Sequence, residues 1–203
     1  MTRSKPVIIG LTGPTGSGKG IIADVLRGRG AYVIDADRIA HAVLFPGGAA
    51  YSEVVANLGA GILNDDKTIN RKTVAAVVFN DKTKLQQHTE TTHKHILKQI
   101  RNEIDAATQA GYKIICIDAP LLTESGLHER CDVTIAVRAD DRLRMERIME
   151  RDGLTQTDAE RRMASQTPFE EIARRADVIF DNNAGPEDLA RKAASHIDQW
   201  LNG

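Results

Sequence analysis

The sequence predicts an α/β fold built on a parallel β-sheet that carries a phosphate-binding loop. Short apolar runs recur along the chain, and their continuous rather than alternating pattern indicates strands that are buried on both faces. Helical patterns separate these runs, and strands that alternate with helices favour a parallel sheet. The pattern GxxxxGK at residues 13–19 follows the first apolar run directly and is typical of a loop that binds phosphate.

The predicted elements divide the chain into a core and two insertions. Strands are predicted at residues 7–11, 32–34, 114–117, 133–137 and 178–180. A long helix is predicted over about 82–110, where Ile96, Ile100 and Ile104 share one face, and a last helix begins near Pro186. We expect a single domain that comprises a core of residues 1–36, 111–138 and 167–203, a helical substrate subdomain at 37–110 and an arginine-rich helical lid at 139–166.

The composition argues against nucleic-acid binding and against membrane insertion. The 203 residues are 41% apolar and include 27 Lys and Arg against 28 Asp and Glu, so no basic excess favours nucleic acid. The first apolar run breaks at Gly10 and Gly13, which fits neither a signal peptide nor a membrane span, and we expect a cytoplasmic protein. Cys116 and Cys131 lie in strand-like segments without metal or redox spacing, and are expected to be buried thiols.

The phosphate-binding loop has the context that its chemistry needs, with a strand before it and a helical pattern after it. Gly13, Gly16 and Gly18 permit torsions and close approaches that a Cβ would obstruct, so that backbone N–H groups can point at a polyphosphate. Lys19 adds a cation for the β and γ phosphates. The start of the following helix adds its own positive end.

One residue of the loop departs from the usual pattern. Gly20 stands where Ser or Thr normally offers a hydroxyl to Mg²⁺, and Ile21 cannot supply a hydroxyl either. Because Mg²⁺ often retains water ligands, a water could take this position without abolishing nucleotide binding. The affinity for the metal, and with it turnover, is the property that Gly20 puts in question.

Acidic residues follow two of the predicted strands. Asp35 and Asp37 come after the second strand, where ligands of open α/β sheets gather, and Asp37 is the candidate base for an alcohol acceptor. Helix capping is the alternative for this pair. Asp118 ends the third strand as a candidate Mg²⁺ ligand, directly or through water, or else as a turn residue. His93 and His95 are two residues apart on one helix, which does not favour a shared zinc site.

Six motifs together resemble the dephospho-CoA kinase family. In chain order they read GLTGPTGSGKG, VIDADRIAH, THKHI, DAPLLTESGL, RIMERDGL and ADVIFDNNAG, and they cover nearly the whole chain. The DAD motif, the PLL motif and the ADxxIxN ending do not normally occur together in other kinases. Three residues depart from the family pattern: Gly20 in place of the loop Ser, Lys94 in place of Pro in the HPxI motif, and Ile172, where many relatives have Lys. The resemblance implies a P-loop kinase core of sheet order 2-3-1-4-5, a helical CoA-binding insertion and a lid.

The resemblance also implies a reaction, in which ATP with Mg²⁺ phosphorylates the ribose 3′-hydroxyl of dephospho-CoA. It implies catalytic roles for Asp37 as base, for Lys19 and for the lid residue Arg147, and it matches Gln166 to the glutamine that ends the second lid helix. The implied ATP-binding residues are Gly13, Thr15, Gly16, Ser17, Gly18, Lys19, Gly20, Ile21, Arg147, Arg151 and Asn182. The implied substrate-binding residues are Asp35, Asp37, His93, Pro120, Leu121 and Leu122.

Two other functions remain open from the residues. An adenylate-kinase-like nucleotide kinase also has Gly after the loop lysine, but it then has Thr where this chain has Ile21. A nucleotide-binding regulatory protein that has lost transfer activity would explain Gly20. The expected partners are ATP and dephospho-CoA, without nucleic acid or membrane, and the sequence leaves open whether the protein is a monomer or a small homo-oligomer.

Overall fold

The predicted sheet is present in the computed structural model of the chain, which describes residues 5–202. Its strands are β1 (Val7–Thr12), β2 (Tyr32–Asp35), β3 (Ile114–Asp118), β4 (Val133–Arg138) and β5 (Val178–Asp181). Their order is β2-β3-β1-β4-β5, and β1 pairs in parallel with both β3 and β4, as β4 does with β5. The strand order that the resemblance implies is therefore confirmed.

The register of the strands places their carboxyl ends at one edge of the sheet. Leu11 of β1 lies opposite Asp118 of β3, and Thr12 lies opposite Ala136 of β4. Since β1 is the central strand, the phosphate-binding loop leaves the sheet at its middle. This edge is where open α/β sheets bind their ligands.

Helices occupy the connections between the strands. They are α1 (Lys19–Gly28), α2 (Ala36–Val43), α3 (Tyr51–Leu58), α4 (Arg71–Phe79), α5 (Lys82–Gln109), α6 (Asp141–Asp152), α7 (Gln156–Ala164), α8 (Phe169–Ala173) and α9 (Pro186–Asn202). Short 3-10 helices occupy Ala60–Ile62 and Leu127–Arg130. The long helix and the last helix predicted from periodicity correspond to α5 and α9.

Helices α1 and α9 pack on the sheet and form a hydrophobic core with it. Ile22 and Leu26 of α1 and Leu189 of α9 are fully buried, and they cluster with Leu11 of β1 and Phe180 of β5. Each such side chain stabilises the fold by roughly 1.5–3 kcal/mol relative to an exposed one. The packing therefore holds the start of α1 firmly beside the end of β1.

The two cysteines differ in their surroundings. Cys116 lies inside β3 and is fully buried, and this burial raises the pKa of its thiol. Cys131 follows the 3-10 helix and precedes β4, so the prediction that it lies in a strand is wrong, and it is only partly buried. Desolvation nevertheless raises the pKa of Cys131 to about 12. Both thiols therefore stay protonated at neutral pH, and neither is a reactive thiolate.

The chain forms two compact units. The first comprises Met1–Ile34 and Ala106–Gly203 and contains the phosphate-binding loop, whereas the second comprises Asp35–Asp105 and contains α2 to α5. In the second unit, Val54, Ile62 and Ile100 are buried to 1% exposure or less. The assignment of residues 37–110 to substrate binding and of 139–166 to a lid stays a prediction. Over residues 5–202, no helix combines the length and the apolar character needed to cross a membrane.

Candidate active site

The phosphate-binding loop is held in a conformation that only glycine adopts easily. Gly16 and Gly18 have φ values of 78° and 95°. A Cβ at Gly16 would lie 2.7 Å from the backbone oxygen of Arg144, and a Cβ at Gly18 would lie 2.1 Å from Asn182 Nδ2. Gly16 and Gly18 thus each have two reasons to be glycine, because the torsion and the close approach of α6 or of the β5 end both exclude a side chain.

Lys19 is the first residue of α1, and its ammonium forms an ion pair with the Asp118 carboxylate at the end of β3. The two side chains are only 18% and 14% exposed. A lysine so placed can leave this partner for a polyphosphate, whose oxygens offer more negative charge. The structure therefore brings together the predicted phosphate cation and the predicted metal ligand.

The residues present are compatible with Mg²⁺ when it is held mainly by phosphates and water. Asp118 offers a carboxylate oxygen, which is a ligand that Mg²⁺ prefers. Within residues 5–202, no group of three His, Cys, Asp or Glu side chains is close enough together to hold a metal ion. Mg²⁺ does not need such a group, because it commonly binds through one or two carboxylates together with substrate phosphates.

Gly20 and Ile21 follow Lys19 in the first turn of α1. A Cβ at Gly20 would meet nothing within 4 Å, so space does not explain the missing hydroxyl. Ile21 is half-buried and packs against the core beneath the loop. Its N–H donates to the Gly18 carbonyl at 3.0 Å, which closes the first turn of the helix.

The predicted lid arginines differ in what they contact. Arg147 donates from Nη1 to the Gly16 carbonyl at 3.1 Å and from Nη2 to the Asn182 carbonyl at 3.0 Å. Arg151 instead pairs with Asp152, which raises the pKa of the Arg151 guanidinium, and its side chain is 59% exposed. The structure thus places Arg147 at the loop, whereas no hydrogen bond joins Arg151 to the loop in the described part of the chain.

Arg144 is a residue at the loop that the sequence reasoning did not single out. It is 8% exposed, and its Nε donates to the Thr15 carbonyl at 3.0 Å. Its position three residues before Arg147 places both on one side of α6, which is a sequence signal for a shared role. That signal did not indicate which arginine would be buried.

Asn182 follows β5 and is buried beside the loop. Its Nδ2 donates to the Ser17 carbonyl at 2.8 Å. Its Oδ1 is buried and has no hydrogen-bond partner among residues 5–202. A buried acceptor without a donor is costly. Asn182 is only 2% exposed, so it supports the loop from inside the protein.

The acidic pair after β2 divides into a cap and an exposed carboxylate. Asp35 is the N-cap of α2, and its side chain accepts a hydrogen bond from the Arg38 N–H at 2.9 Å. The capping alternative therefore holds for Asp35. Asp37 lies in the first turn of α2 and is exposed, so its carboxylate is accessible to a ligand.

The two histidines of α5 have different surroundings. His93 is exposed, whereas the His95 ring bonds to Glu53 of α3 at 2.9 Å. The hydrogen bond from His95, with help from Lys94, lowers the pKa of the Glu53 carboxyl. His95 thus ties α5 to α3, and His93 is the histidine that a substrate could reach.

The turn after β3 places its three predicted substrate residues differently. The Pro120 carbonyl accepts a hydrogen bond from Thr12 Oγ1 at 3.1 Å, which fixes the turn to the end of β1. Leu121 is 57% exposed and can contact a ligand. Leu122 is fully buried, and a Cβ at Gly10 would lie 2.6 Å from its Cδ2. Leu122 therefore packs against β1 at Gly10 and has no exposed surface for direct contact with a substrate.

Comparison with known proteins identifies the family. The family model for dephospho-CoA kinase matches residues 7–188. The chain belongs to the dephospho-CoA kinase family. A dephospho-CoA kinase of Shouchella clausii is 38% identical over 184 residues, which is 91% of this chain and 93% of the relative. This chain is accordingly a kinase, and the family resemblance noted from its motifs is confirmed.

Solved structures agree with this assignment. A crystal structure of a Thermus thermophilus protein matches with a TM-score of 0.80 and 27% identity, over 97% of this chain and 98% of that one. A dephospho-CoA kinase from Campylobacter jejuni matches with a TM-score of 0.69 and 26% identity, over 95% and 96% of the two chains. The P-loop kinase fold thus extends over at least 95% of this chain.

Proposed function

We propose that this kinase transfers the γ-phosphoryl group of ATP to the ribose 3′-hydroxyl of dephospho-CoA and so produces CoA and ADP. The single observation that carries the proposal is the match of the whole domain to this family, with Lys19 and the glycines in place at the sheet edge. The proposed reaction is the last step of CoA synthesis. We also propose that the protein is cytoplasmic, and that it is a monomer or a small homo-oligomer.

The nucleotide would be held by the loop and the residues around it. The loop N–H groups, the start of α1 and Lys19 would bind the β and γ phosphates. Mg²⁺ would be held by the phosphates, by water and by Asp118, and when bound it supplies charge stabilisation to the transferring phosphoryl group. Asn182, which bonds to the Ser17 carbonyl, is the residue that the family resemblance assigns to the adenine end of the nucleotide. Arg147 already contacts the loop, and its charge would stabilise the transferring group.

The residues proposed for the acceptor are those that the family resemblance implies. Asp37 would accept the proton of the 3′-hydroxyl as the bond to phosphorus forms. Asp35, His93, Pro120 and Leu121 are the remaining candidates for contact with dephospho-CoA. The unit that contains Asp37 has a cavity of about 390 Å³ between α2 and α5, and Arg38, the neighbour of Asp37, lines it. Its size is that of a small-molecule site.

A comparison of acceptors tests the proposed function. With ATP and Mg²⁺, we expect ADP release to depend on dephospho-CoA and to be negligible with AMP. A preference for AMP would indicate the adenylate-kinase-like alternative. Tight ATP binding without turnover on either acceptor would indicate a regulatory protein. This outcome is tested because Gly20 lacks the hydroxyl that usually binds Mg²⁺.

A Gly20→Ser variant tests whether the missing hydroxyl limits metal use. A Cβ at this position meets nothing within 4 Å, and the serine hydroxyl would offer Mg²⁺ a ligand in place of water. We expect the Mg²⁺ concentration that gives half-maximal rate to fall. Gly20→Ala is the matched control, because it adds the Cβ without the hydroxyl, and it should leave this concentration unchanged. Equal behaviour of the Ser and Ala variants would show that water already serves this position adequately.

A further inference from the structure

Three consecutive carbonyl groups of the phosphate-binding loop accept hydrogen bonds from side chains outside the loop. The Thr15 carbonyl accepts from Arg144 Nε at 3.0 Å, the Gly16 carbonyl from Arg147 Nη1 at 3.1 Å, and the Ser17 carbonyl from Asn182 Nδ2 at 2.8 Å. Because a trans peptide is planar, its N–H points away from its carbonyl. Bonds on one side of the loop therefore fix the direction in which the next residues' N–H groups point.

Arg144 has the most complete set of contacts among these donors. Besides Thr15, its Nη1 donates to Asp141 Oδ1 at 2.7 Å and its Nη2 donates to Gln166 Oε1 at 3.0 Å. Gln166 Oε1 also accepts the Thr15 N–H at 3.2 Å. Arg144 and Gln166 thus hold both backbone polar groups of Thr15, and the three residues form a closed set of hydrogen bonds.

These contacts join three parts of the chain that are distant in sequence. Arg144 belongs to α6, Gln166 follows α7, and Thr15 belongs to the loop. The buried guanidinium is costly to desolvate unless its hydrogen bonds are satisfied, and all three of its nitrogens have acceptors. Because a buried network of charged and polar side chains adds little stability over a well-packed apolar one of similar volume, we attribute the charge at this position to the loop geometry that it fixes.

We propose that Arg144, together with Gln166, is a positioning residue for nucleotide binding. It does not touch the phosphates. It holds the Thr15 peptide so that the loop is already shaped for a polyphosphate before ATP arrives, which lowers the ordering cost of binding. It also couples the two predicted lid helices to the loop. The proposal rests on the proposed use of ATP and is independent of the identity of the acceptor.

The test is the dissociation constant for ATP, measured by calorimetry on the full chain without an acceptor. Arg144→Met and Gln166→Leu should each raise it by about tenfold, the effect of a lost hydrogen bond to a charged or buried group. The double variant should raise it by clearly less than the product of the two single effects, because both residues act through Thr15. Arg144→Lys retains a cation that can reach the Thr15 carbonyl, and should give an intermediate value.

Arg142→Met is the matched control, since Arg142 lies on the same helix, is 75% exposed and pairs with Glu146. It should leave ATP binding unchanged. In the Arg144 and Gln166 variants, the KM for the acceptor should also stay unchanged. The proposal is overturned by wild-type ATP affinity in Arg144→Met, or by fully additive effects. If Arg144→Met does not fold, Arg144→Lys and Gln166→Leu decide in its place. Failure of the proposed function would appear instead as normal ATP binding in the wild type without transfer.

Discussion

Replacement of Asp37 by Asn is expected to lower kcat by about 10²- to 10⁴-fold while ATP still binds, which is the range for loss of a general base. The carboxylate lies exposed in the first turn of α2, and the N-cap of this helix is Asp35, so the change at Asp37 leaves the cap in place. Asn has nearly the same shape but cannot accept the proton of the attacking hydroxyl. Steady-state rates with saturating dephospho-CoA and ATP, alongside direct ATP titration, measure the two effects separately.

The control for this variant is Asp65→Asn, the same change at an exposed turn residue of the same unit. It should leave both kcat and ATP binding as they are. Retention of wild-type turnover by Asp37→Asn would remove Asp37 from the chemistry. Equal losses in ATP affinity and in kcat would point to a disturbed fold rather than a missing base.

Replacement of Lys19 by Met is expected to reduce kcat by about 10²- to 10³-fold and to weaken ATP binding as well. The magnitude is that of removing one charge-stabilising donor from a site where negative charge develops. Met fills a similar volume but has no cation for the phosphates. Lys5→Met is the matched control, because Lys5 precedes β1 and its side chain is 78% exposed.

The ion pair with Asp118 complicates the interpretation of this variant and calls for a second one. Lys19→Met has two effects, because it removes the cation and also leaves the Asp118 carboxylate without the ammonium that neutralises it, so that this carboxylate would repel the phosphates. The double variant Lys19→Met with Asp118→Asn removes that repulsion. Because Asp118 is also the proposed Mg²⁺ ligand, the reference for the double variant is Asp118→Asn alone. The double variant should turn over about 10²- to 10³-fold more slowly than this reference if Lys19 acts on the phosphates directly. Equal turnover of the two variants would mean that Lys19 serves only to neutralise Asp118.

The strands themselves and the place of the loop could be predicted from the sequence, since they depend on local patterns. Continuous apolar runs indicate strands buried on both faces, and the glycine spacing of the loop indicates the torsions that its turn requires. The same local logic predicts α5 and α9 from their periodicity. The family motifs, read in chain order, supplied the strand order and the acceptor.

The contacts behind the loop could not be predicted in this way. Arg144, Arg147 and Arg151 have the same sequence character, but only the path of α6 past the loop determines that the first two bond to it and the third pairs with Asp152. Likewise, Leu121 and Leu122 are chemically equivalent neighbours. The turn fixed by Thr12 exposes one and buries the other beneath β1.

The most direct test of the central claim is the identity of the product. Purified protein incubated with ATP, Mg²⁺ and dephospho-CoA should give equal amounts of ADP and of a product that is heavier by one phosphoryl group. Phosphorus NMR should show a new phosphomonoester on the ribose 3′-oxygen. ADP formed without a phosphorylated acceptor, or a phosphoryl group attached elsewhere on the acceptor, would contradict the assignment.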